Sequence, residues 1–305
     1  MNKAMDPSKG LFLCDGCVVR EGVLLLATGF NADPDQDNSR VVYTLDGEWR
    51  HFDVEEDAVI ATTVIGTVGY VVGARGSVFE IPLGEQSHLS NIDDAIRDWT
   101  IGAVDDLGEL TRVRAIAGVP YCCGQSGQVY RLEGSRWAQV DHGLCSVVGP
   151  DLEDIAGLSP ADIYAVGLEG ALHHFDGRRW RQIELQTNVN ISNIHARPDG
   201  SFVLCGDDGL IMCGSGDHWR SIGDLIPDKN YWGLESFGGA LFLAHRLGIE
   251  RLDDSILSPI EVKLPGRLTF HRLQSGAGLL FSIGTDDLLR FDGYHWLRID
   301  VPARP

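Results

Sequence analysis

The sequence lacks long hydrophobic runs. None of its 305 residues belongs to an uninterrupted apolar stretch of about 18 residues or more, the minimum for a membrane-crossing helix. A helical membrane span is therefore excluded. Met1–Gly10 is polar and has no apolar segment of the kind found in secretory signals, so no leader is expected.

Cysteines are few and irregularly spaced. There are seven, an odd number without the spacing of a disulfide framework. Cys14 and Cys17 form one C-x-x-C, but no second pair of cysteines or histidines completes a zinc site. We therefore expect free thiols and a reducing, cytoplasmic location.

Basic residues are scarce. The chain has 25 Lys and Arg against 44 Asp and Glu, which gives a formal net charge of −19. Such a chain repels nucleic acid and anionic membrane surfaces, so neither is expected as a partner. It attracts a basic protein instead, although a high net charge also serves solubility alone.

An internal repeat is the most prominent feature that the sequence does contain. Ile163–Trp180 reads IYAVGLEGALHHFDGRRW and Leu280–Trp296 reads LFSIGTDDLLRFDGYHW, with related units at Tyr121–Trp137 and Phe202–Trp219. Each unit has an apolar strand, a glycine, a short tip, a second strand, an Asp-Gly-like turn and a tryptophan that opens another strand. The recurring residues are Gly29, Gly73, Gly124, Gly167, Gly206 and Gly284, and Trp49, Trp99, Trp137, Trp180, Trp219 and Trp296.

The repeat predicts the fold. A further strand precedes each glycine strand, and four strands in about 40 residues match one propeller blade. We therefore predict an all-β, seven-bladed β-propeller with four antiparallel strands per blade, forming a single domain over residues 1–305. The tryptophans are expected to pack between blades, and the turn residues Asp46, Asp176 and Asp292 to be scaffold. The predicted blades are 11–54, 58–104, 110–144, 151–185, 188–224, 231–265 and 268–302.

The unit at Ile163–Trp180 resembles an FDGxxW-type repeat of bacterial seven-bladed propellers, and it is similar to the propellers of two-component regulators. Its turn-plus-Trp segment is similar to the Asp-box of sialidases, although only Thr44-Leu45-Asp46-Gly47 keeps the hydroxyl residue of that motif. A sialidase centre also needs an arginine cluster, a tyrosine and acidic partners, which the sequence does not place. The resemblance therefore implies the fold, and fold alone does not imply function.

Acidic residues are concentrated in one class of loop. In a propeller, the tips between the second and third strands lie on the same face as the links between blades. An acidic face of this kind steers cationic partners towards it, whereas the alternative interpretation is a set of ordinary solvated turn residues. The predicted partner-binding residues are Asp33, Asp35, Asp37, Glu55, Glu56, Asp57, Asp105, Asp106, Glu109, Asp151, Glu153, Asp154, Asp207, Asp208, Asp286 and Asp287.

One tip also resembles a metal-binding loop. Asn31–Ser39 places Asp33, Asp35 and Asp37 at alternating positions, as in a calcium loop. The sequence departs from the EF-hand pattern, because Asn38 and Thr44 replace its glycine and glutamate. Calcium is the one cofactor that the sequence suggests, and a solvated tip is the alternative.

Catalytic motifs are missing. The sequence contains no G-x-S-x-G, H-E-x-x-H or Walker loop, and we predict no catalytic residue. The favoured hypothesis is a non-enzymatic protein, monomeric on its own, that captures a basic partner. Its most specific form is a bacterial immunity or antitoxin-type protein that neutralises a toxin or effector. The alternative is a carbohydrate-active hydrolase or lyase with a site in the central funnel, because a site assembled from distant blades leaves no local motif.

Overall fold

The chain folds into seven four-stranded antiparallel sheets, each built from four consecutive strands. The computed structural model describes residues 10–30, 38–45, 47–84, 92–101 and 107–302. The arrangement confirms the predicted seven-bladed β-propeller with four antiparallel strands per blade. Apart from Leu107, helical structure in the described ranges consists of short 3₁₀ turns, and no helix there is long and apolar enough to cross a membrane.

The first four blades contain strands β1 to β16. Blade 1 has β1 (Leu11–Arg20), β2 (Val23–Phe30), β3 (Ser39–Leu45) and β4 (Glu48–Val54). Blade 2 has β5 (Val59–Ile65), β6 (Val68–Gly73), β7 (Ser77–Pro82) and β8 (Arg97–Thr100). Blade 3 has β9 (Leu110–Ile116), β10 (Val119–Gly124), β11 (Val129–Glu133) and β12 (Arg136–Gln139). Blade 4 has β13 (Leu152–Ser159), β14 (Asp162–Gly167), β15 (Leu172–Phe175) and β16 (Trp180–Gln182).

The last three blades contain strands β17 to β28. Blade 5 has β17 (Ile191–Ala196), β18 (Phe202–Gly206), β19 (Ile211–Ser215) and β20 (His218–Ser221). Blade 6 has β21 (Tyr231–Phe237), β22 (Ala240–His245), β23 (Gly248–Asp253) and β24 (Ile256–Ile260). Blade 7 has β25 (Arg272–Gly276), β26 (Leu279–Ile283), β27 (Leu288–Phe291) and β28 (Trp296–Ile299).

The first strand of each blade lies closest to the axis, where it contacts the first strands of both neighbouring blades. Blades 1 to 6 share a β-bulge near the start of this inner strand, for example between Leu152 and Asp154 and between Ile191 and Asn193. A bulge inserts one residue and re-aims the side chains that follow it. The repeat therefore fixes the same register of inward-facing positions in blade after blade.

Blades 1 and 7 close the ring without exchanging a strand. The Leu13 N–H donates a hydrogen bond of 2.9 Å to the Thr285 carbonyl oxygen. Below it, Val18 and Leu26 of blade 1 pack with Phe281 and Ile283 of blade 7 in one apolar cluster.

The recurring tryptophans pack between blades, as predicted. Each of the six is partly or fully buried, and each belongs to an apolar cluster that joins neighbouring sheets. Trp99 also donates from its indole N–H to the Ser135 carbonyl oxygen of the next blade, at 3.1 Å. Burying apolar surface stabilises by about 25 cal/mol per Å², so these contacts contribute to cohesion between blades.

Candidate functional site: the link face and the axial charge cluster

The tips between second and third strands are hydrogen-bonded to the links between blades. The Leu168 N–H donates to the Asp151 carbonyl oxygen at 3.0 Å, and the Asp207 N–H donates to that of Asn190 at 3.0 Å. The Gly127 N–H likewise donates to the Pro150 carbonyl oxygen at 2.6 Å. Tips and links therefore form one surface, which we call the link face.

The predicted partner-binding acids fall into four groups, and the structure describes the members of three of them. One group lies outside the described residues: Asp33, Asp35, Asp37, Asp105 and Asp106. A second is exposed: Glu55, Glu56, Glu109, Asp151 and Asp286. A third is partly buried: Glu153, Asp207 and Asp208. The fourth is buried: Asp57, Asp154 and Asp287. The predicted calcium ligands all belong to the first group.

The buried acids serve the fold. Asp57 accepts hydrogen bonds from the backbone N–H groups of Arg75 and Ser77, at 2.8 and 3.0 Å. Asp287 accepts from the Thr269 N–H at 2.8 Å and pairs with Arg298 at 3.0 Å. These carboxylates are turned into the protein, so the exposed acids are the ones that a partner can reach.

Some cations of the link face are already paired with acids. Arg40 forms an ion pair with Asp53 at 2.6 Å, and Lys229 forms one with Glu250 at 2.7 Å. Exposed carboxylates nearby include those of Glu169 and Asp224. The accessible charge of this face is therefore predominantly negative.

A second set of charged residues meets at the axis. We call Asp15, Arg112, Arg114, Asp154, Glu235 and Arg272 the axial charge cluster. Asp15, Arg112 and Asp154 each stand two residues beyond the start of the inner-strand bulge in their blades. Arg114 binds Asp154 through two hydrogen bonds of 2.8 Å, and Asp154 also accepts from the Ile194 N–H of the next blade at 3.1 Å.

Arg112 lies at the centre of this cluster. Its side chain is 2% exposed, 3.6 Å from Asp154 and 3.9 Å from Asp15. Asp15 belongs to blade 1 and Arg112 to blade 3, so the pair reaches past blade 2, where Ala61 occupies the equivalent position. Asp15 in turn accepts a hydrogen bond from the Thr62 N–H at 2.9 Å. The cluster ties several blades together across the axis.

Burial and neighbouring charges shift the ionisation of these groups. Burial alone would raise the pKa of Asp154, but the charge and hydrogen bonds of Arg114 outweigh it and hold that pKa below its usual value. Burial, and then the charge of Arg112, lower the pKa of Arg272 to about 9. Burial raises the pKa of Glu235 to about 7, against the opposing charge of Arg114.

The cluster was missed by sequence reasoning, which placed no arginine at the axis. Its signal is present in the repeat: Asp15, Arg112, Asp154 and Arg272 occupy one repeat position that is charged in several units. Arg114 and Asp154 bind one another, and Arg112 lies between two carboxylates, so these charged groups face one another. The exposed acids of the predicted set lie on the link face instead.

The cysteines are free and mostly buried. Burial raises the pKa of both Cys14 and Cys17 to about 12, so the C-x-x-C pair is held as thiols. Within the described part of the chain, no three His, Cys, Asp or Glu side chains gather as metal ligands. Asp176 and Asp292 cap their turns through backbone N–H bonds of 2.7–3.0 Å, as predicted.

These features define the class as a closed seven-bladed β-propeller that presents an acidic loop face. Two solved propellers share the fold across most of their length. The WD40 β-propeller domain of Doa1 matches with a TM-score of 0.66 and 11% identity, covering 92% of this chain and 91% of that one. YCF48 bound to a D1 peptide matches with a TM-score of 0.66 and 16% identity, covering 98% and 97%. At these identities the likeness concerns the fold alone.

A curated relative gives the family. The chain is 34% identical over 238 residues to the immune protein Tsi7 of Pseudomonas aeruginosa, an alignment that covers 75% of this chain and 74% of that protein. The chain belongs to the family of immune protein Tsi7. No protein-family model matches it, so its assignment to the FDGxxW-type repeat stays a prediction.

Proposed function

We propose that this chain is an immunity protein that binds a toxin and neutralises it. The observation that carries the proposal is the 34% identity to the immune protein Tsi7, which extends over 75% of the chain. The alignment is long enough to span most of the propeller. A binding role also fits the structure, in which loops rather than the axial channel present the accessible charge.

The partner is a basic toxin or effector domain, bound through the acidic link face. Glu55, Glu109 and Asp286 are exposed there, and Arg40 and Lys229 are paired with acids. Opposite charge on a partner accelerates diffusional encounter and orients it before contact. The chain acts as a monomer that occludes one toxin molecule. In this role it needs no cofactor, and calcium at Asp33, Asp35 and Asp37 is not required.

The proposed location is the cytoplasm. All seven cysteines are free, and Cys122, Cys123 and Cys205 are fully buried inside strands. A reducing compartment keeps such thiols unpaired. Neutralising a toxin there protects the cell that produces the immunity protein.

One observation favours the alternative of a hydrolase or lyase: three arginines lie at the axis. A sialidase-type centre would use an arginine cluster to bind a substrate carboxylate. Here Asp154 already occupies Arg114 through two 2.8 Å hydrogen bonds, and Arg112 is buried. The geometry therefore favours the binding role.

The experiment is a protection and binding assay that takes the protein encoded by the adjoining gene as the candidate toxin. Cells that express this toxin should survive when they co-express the chain, and the two purified proteins should form a 1:1 complex. Replacing Glu109 and Glu169 by Lys should slow association about tenfold at low salt, because both exposed carboxylates lie on the link face.

The matched control is the pair Glu21→Lys and Glu48→Lys. Both glutamates are exposed on the opposite face, next to the first-to-second and third-to-fourth strand turns of blade 1. This variant has the same net charge as the link-face variant and should associate at the wild-type rate. Equal slowing by the two variants would assign the effect to net charge and reject the acidic face, and unprotected cells would reject the immunity role.

A further inference from the structure

Large aliphatic side chains are exposed on the link face along one arc of the ring. Val147 and Val148 are 89% and 93% exposed, and Leu247 is 78% exposed. All lie in links or tips of blades 3 to 6, and we call the whole set the apolar patch. Its residues are Val147, Val148, Leu168, Leu225, Ile226 and Leu247.

Hydrogen bonds connect the loops that carry the patch. The Ser146 N–H donates to the Ser126 carbonyl oxygen at 3.0 Å, next to Val147. The Glu169 N–H donates to Asn190 Oδ1 at 3.0 Å, which joins the tip of blade 4 to the link that enters blade 5. The Ile226 N–H donates to the Asp208 carbonyl oxygen at 2.7 Å, which joins the tip of blade 5 to the link that enters blade 6. The exposed side chains therefore stand on consecutive, mutually attached loops.

Elsewhere in the described residues, exposed large apolar side chains are scattered. Leu158, Ile256 and Tyr294 lie at or near turns on the opposite face in three different blades, and Leu297 lies on an outer strand. Single exposed apolar residues are normal, whereas a clustered set marks an interaction surface. The clustering on one face distinguishes the patch from this background.

Acidic residues border the patch. Asp151, Glu169, Asp224 and Asp228 are exposed on the same loops. Arg246 is an exposed cation beside Leu247, while Lys229 is paired with Glu250 at 2.7 Å. The same loops therefore carry exposed apolar side chains and mainly negative charge, and protein interfaces combine an apolar core with polar surroundings.

We propose that the apolar patch is the docking centre for the toxin. The occupant is a basic protein domain that presents an apolar anchor flanked by Lys and Arg side chains. The inference rests on the proposed immunity function and adds the arc of the ring, blades 3 to 6, that makes the contact. Buried apolar anchors set the dissociation rate of such complexes, whereas charges at the rim mainly set the association rate.

The test measures the kinetics of binding to the toxin encoded by the adjoining gene. The double variants Val147→Ser with Val148→Ser and Leu225→Ser with Ile226→Ser should each raise the dissociation rate at least about tenfold, with little change in association. A control variant, Ile256→Ser with Tyr294→Ser, removes comparably exposed apolar side chains from the opposite face, 70% and 87% exposed. It should dissociate at the wild-type rate.

The outcomes separate the two proposals. If wild-type chain binds the toxin and both patch variants keep its dissociation rate within about twofold, the docking centre lies elsewhere and the immunity function stands. If wild-type chain does not bind, the immunity function fails and the patch proposal fails with it. Melting temperatures of all variants confirm folding, and Leu247→Ser supplies an independent single substitution if a double variant unfolds.

Discussion

At the scale of single residues, crowding explains the glycine that ends the second strand. Gly167 and Gly206 have φ angles of −172° and −167°, ordinary extended values that any residue adopts. A Cβ atom at Gly206 would lie 1.9 Å from the Asn190 carbonyl oxygen, and one at Gly167 would lie equally close to that of Asp151. The glycine is therefore required because the tip folds directly onto the preceding link.

Gly206→Ala should lower stability by about 1–3 kcal/mol, because the tip and the link must move apart. Gly248→Ala is the matched control, since no atom lies within 4 Å of its Cβ position. The free energy of unfolding of that variant should lie within about 0.5 kcal/mol of the wild-type value. Thermal or urea unfolding measures both, and an equally stable Gly206→Ala protein would contradict the crowding argument.

Blade 6 shows what happens without this glycine. His245 occupies the position and pairs with both Tyr231 and Gly248, so the second and third strands are joined by a two-residue turn. The sequence of this blade has Ala244-His245 where the other units have glycine. The shorter tip exposes Leu247, a consequence that the residue pattern alone did not indicate.

At the scale of strands, the inner strand is the element that joins blades. Its bulge brings Asp154 of blade 4 against Arg114 of blade 3 and the Ile194 N–H of blade 5. Removing one partner of a buried ion pair costs more than the pair contributes, because it leaves an uncompensated charge. At the axis, a single carboxylate therefore bonds to both neighbouring blades.

Asp154→Asn should destabilise the protein by about 3–5 kcal/mol through the uncompensated charge of Arg114. Asp176→Asn makes the same chemical change at an exposed turn carboxylate and should cost no more than about 1 kcal/mol. Denaturant unfolding compares the two variants. If both variants lost a similar amount of stability, the buried ion pair of Asp154 with Arg114 would contribute no more than the exposed turn carboxylate of Asp176.

Sequence and structure agree most where the repeat is regular. Glycine, Asp-Gly turn and tryptophan recur at fixed spacing, and such a period specifies the blade and its packing. The axial charge cluster was not predicted, because the shared repeat position of Asp15, Arg112, Asp154 and Arg272 does not show which charges meet across the axis. The acidic loops were found, but their sorting into exposed acids such as Glu55 and buried ones such as Asp57 depends on which backbone N–H groups fold onto each carboxylate.

At the scale of the whole molecule, Glu235 makes stability depend on pH. Its side chain lies at the axis and accepts a hydrogen bond of 3.0 Å from Ser275 of blade 7. Burial raises its pKa from 4.5 to about 7, so between these values the folded chain holds a proton that the unfolded chain has released. This group therefore lowers stability as pH rises from about 4.5 to 7.

Glu235→Gln should flatten this part of the pH dependence and leave the variant more stable than wild type at pH 8, by up to about 2–3 kcal/mol. The glutamine amide can still accept the hydrogen bond from Ser275. Glu109→Gln, at an exposed position, serves as the control and should retain the wild-type pH profile. A Glu235→Gln protein with the same slope as wild type would show that the carboxyl is already ionised in the folded chain at pH 5.

The hydrogen bonds between tips and links have a consequence for recognition. In blades 3, 4 and 5, a backbone N–H of the tip donates to a side-chain oxygen of the link to the next blade. The three pairs are Ser126 with Asp151, Glu169 with Asn190, and Asp208 with Asn230. Loops that are fixed before encounter lose little conformational entropy on docking. The described tips of blades 3 to 5 are thus held in place before any partner binds.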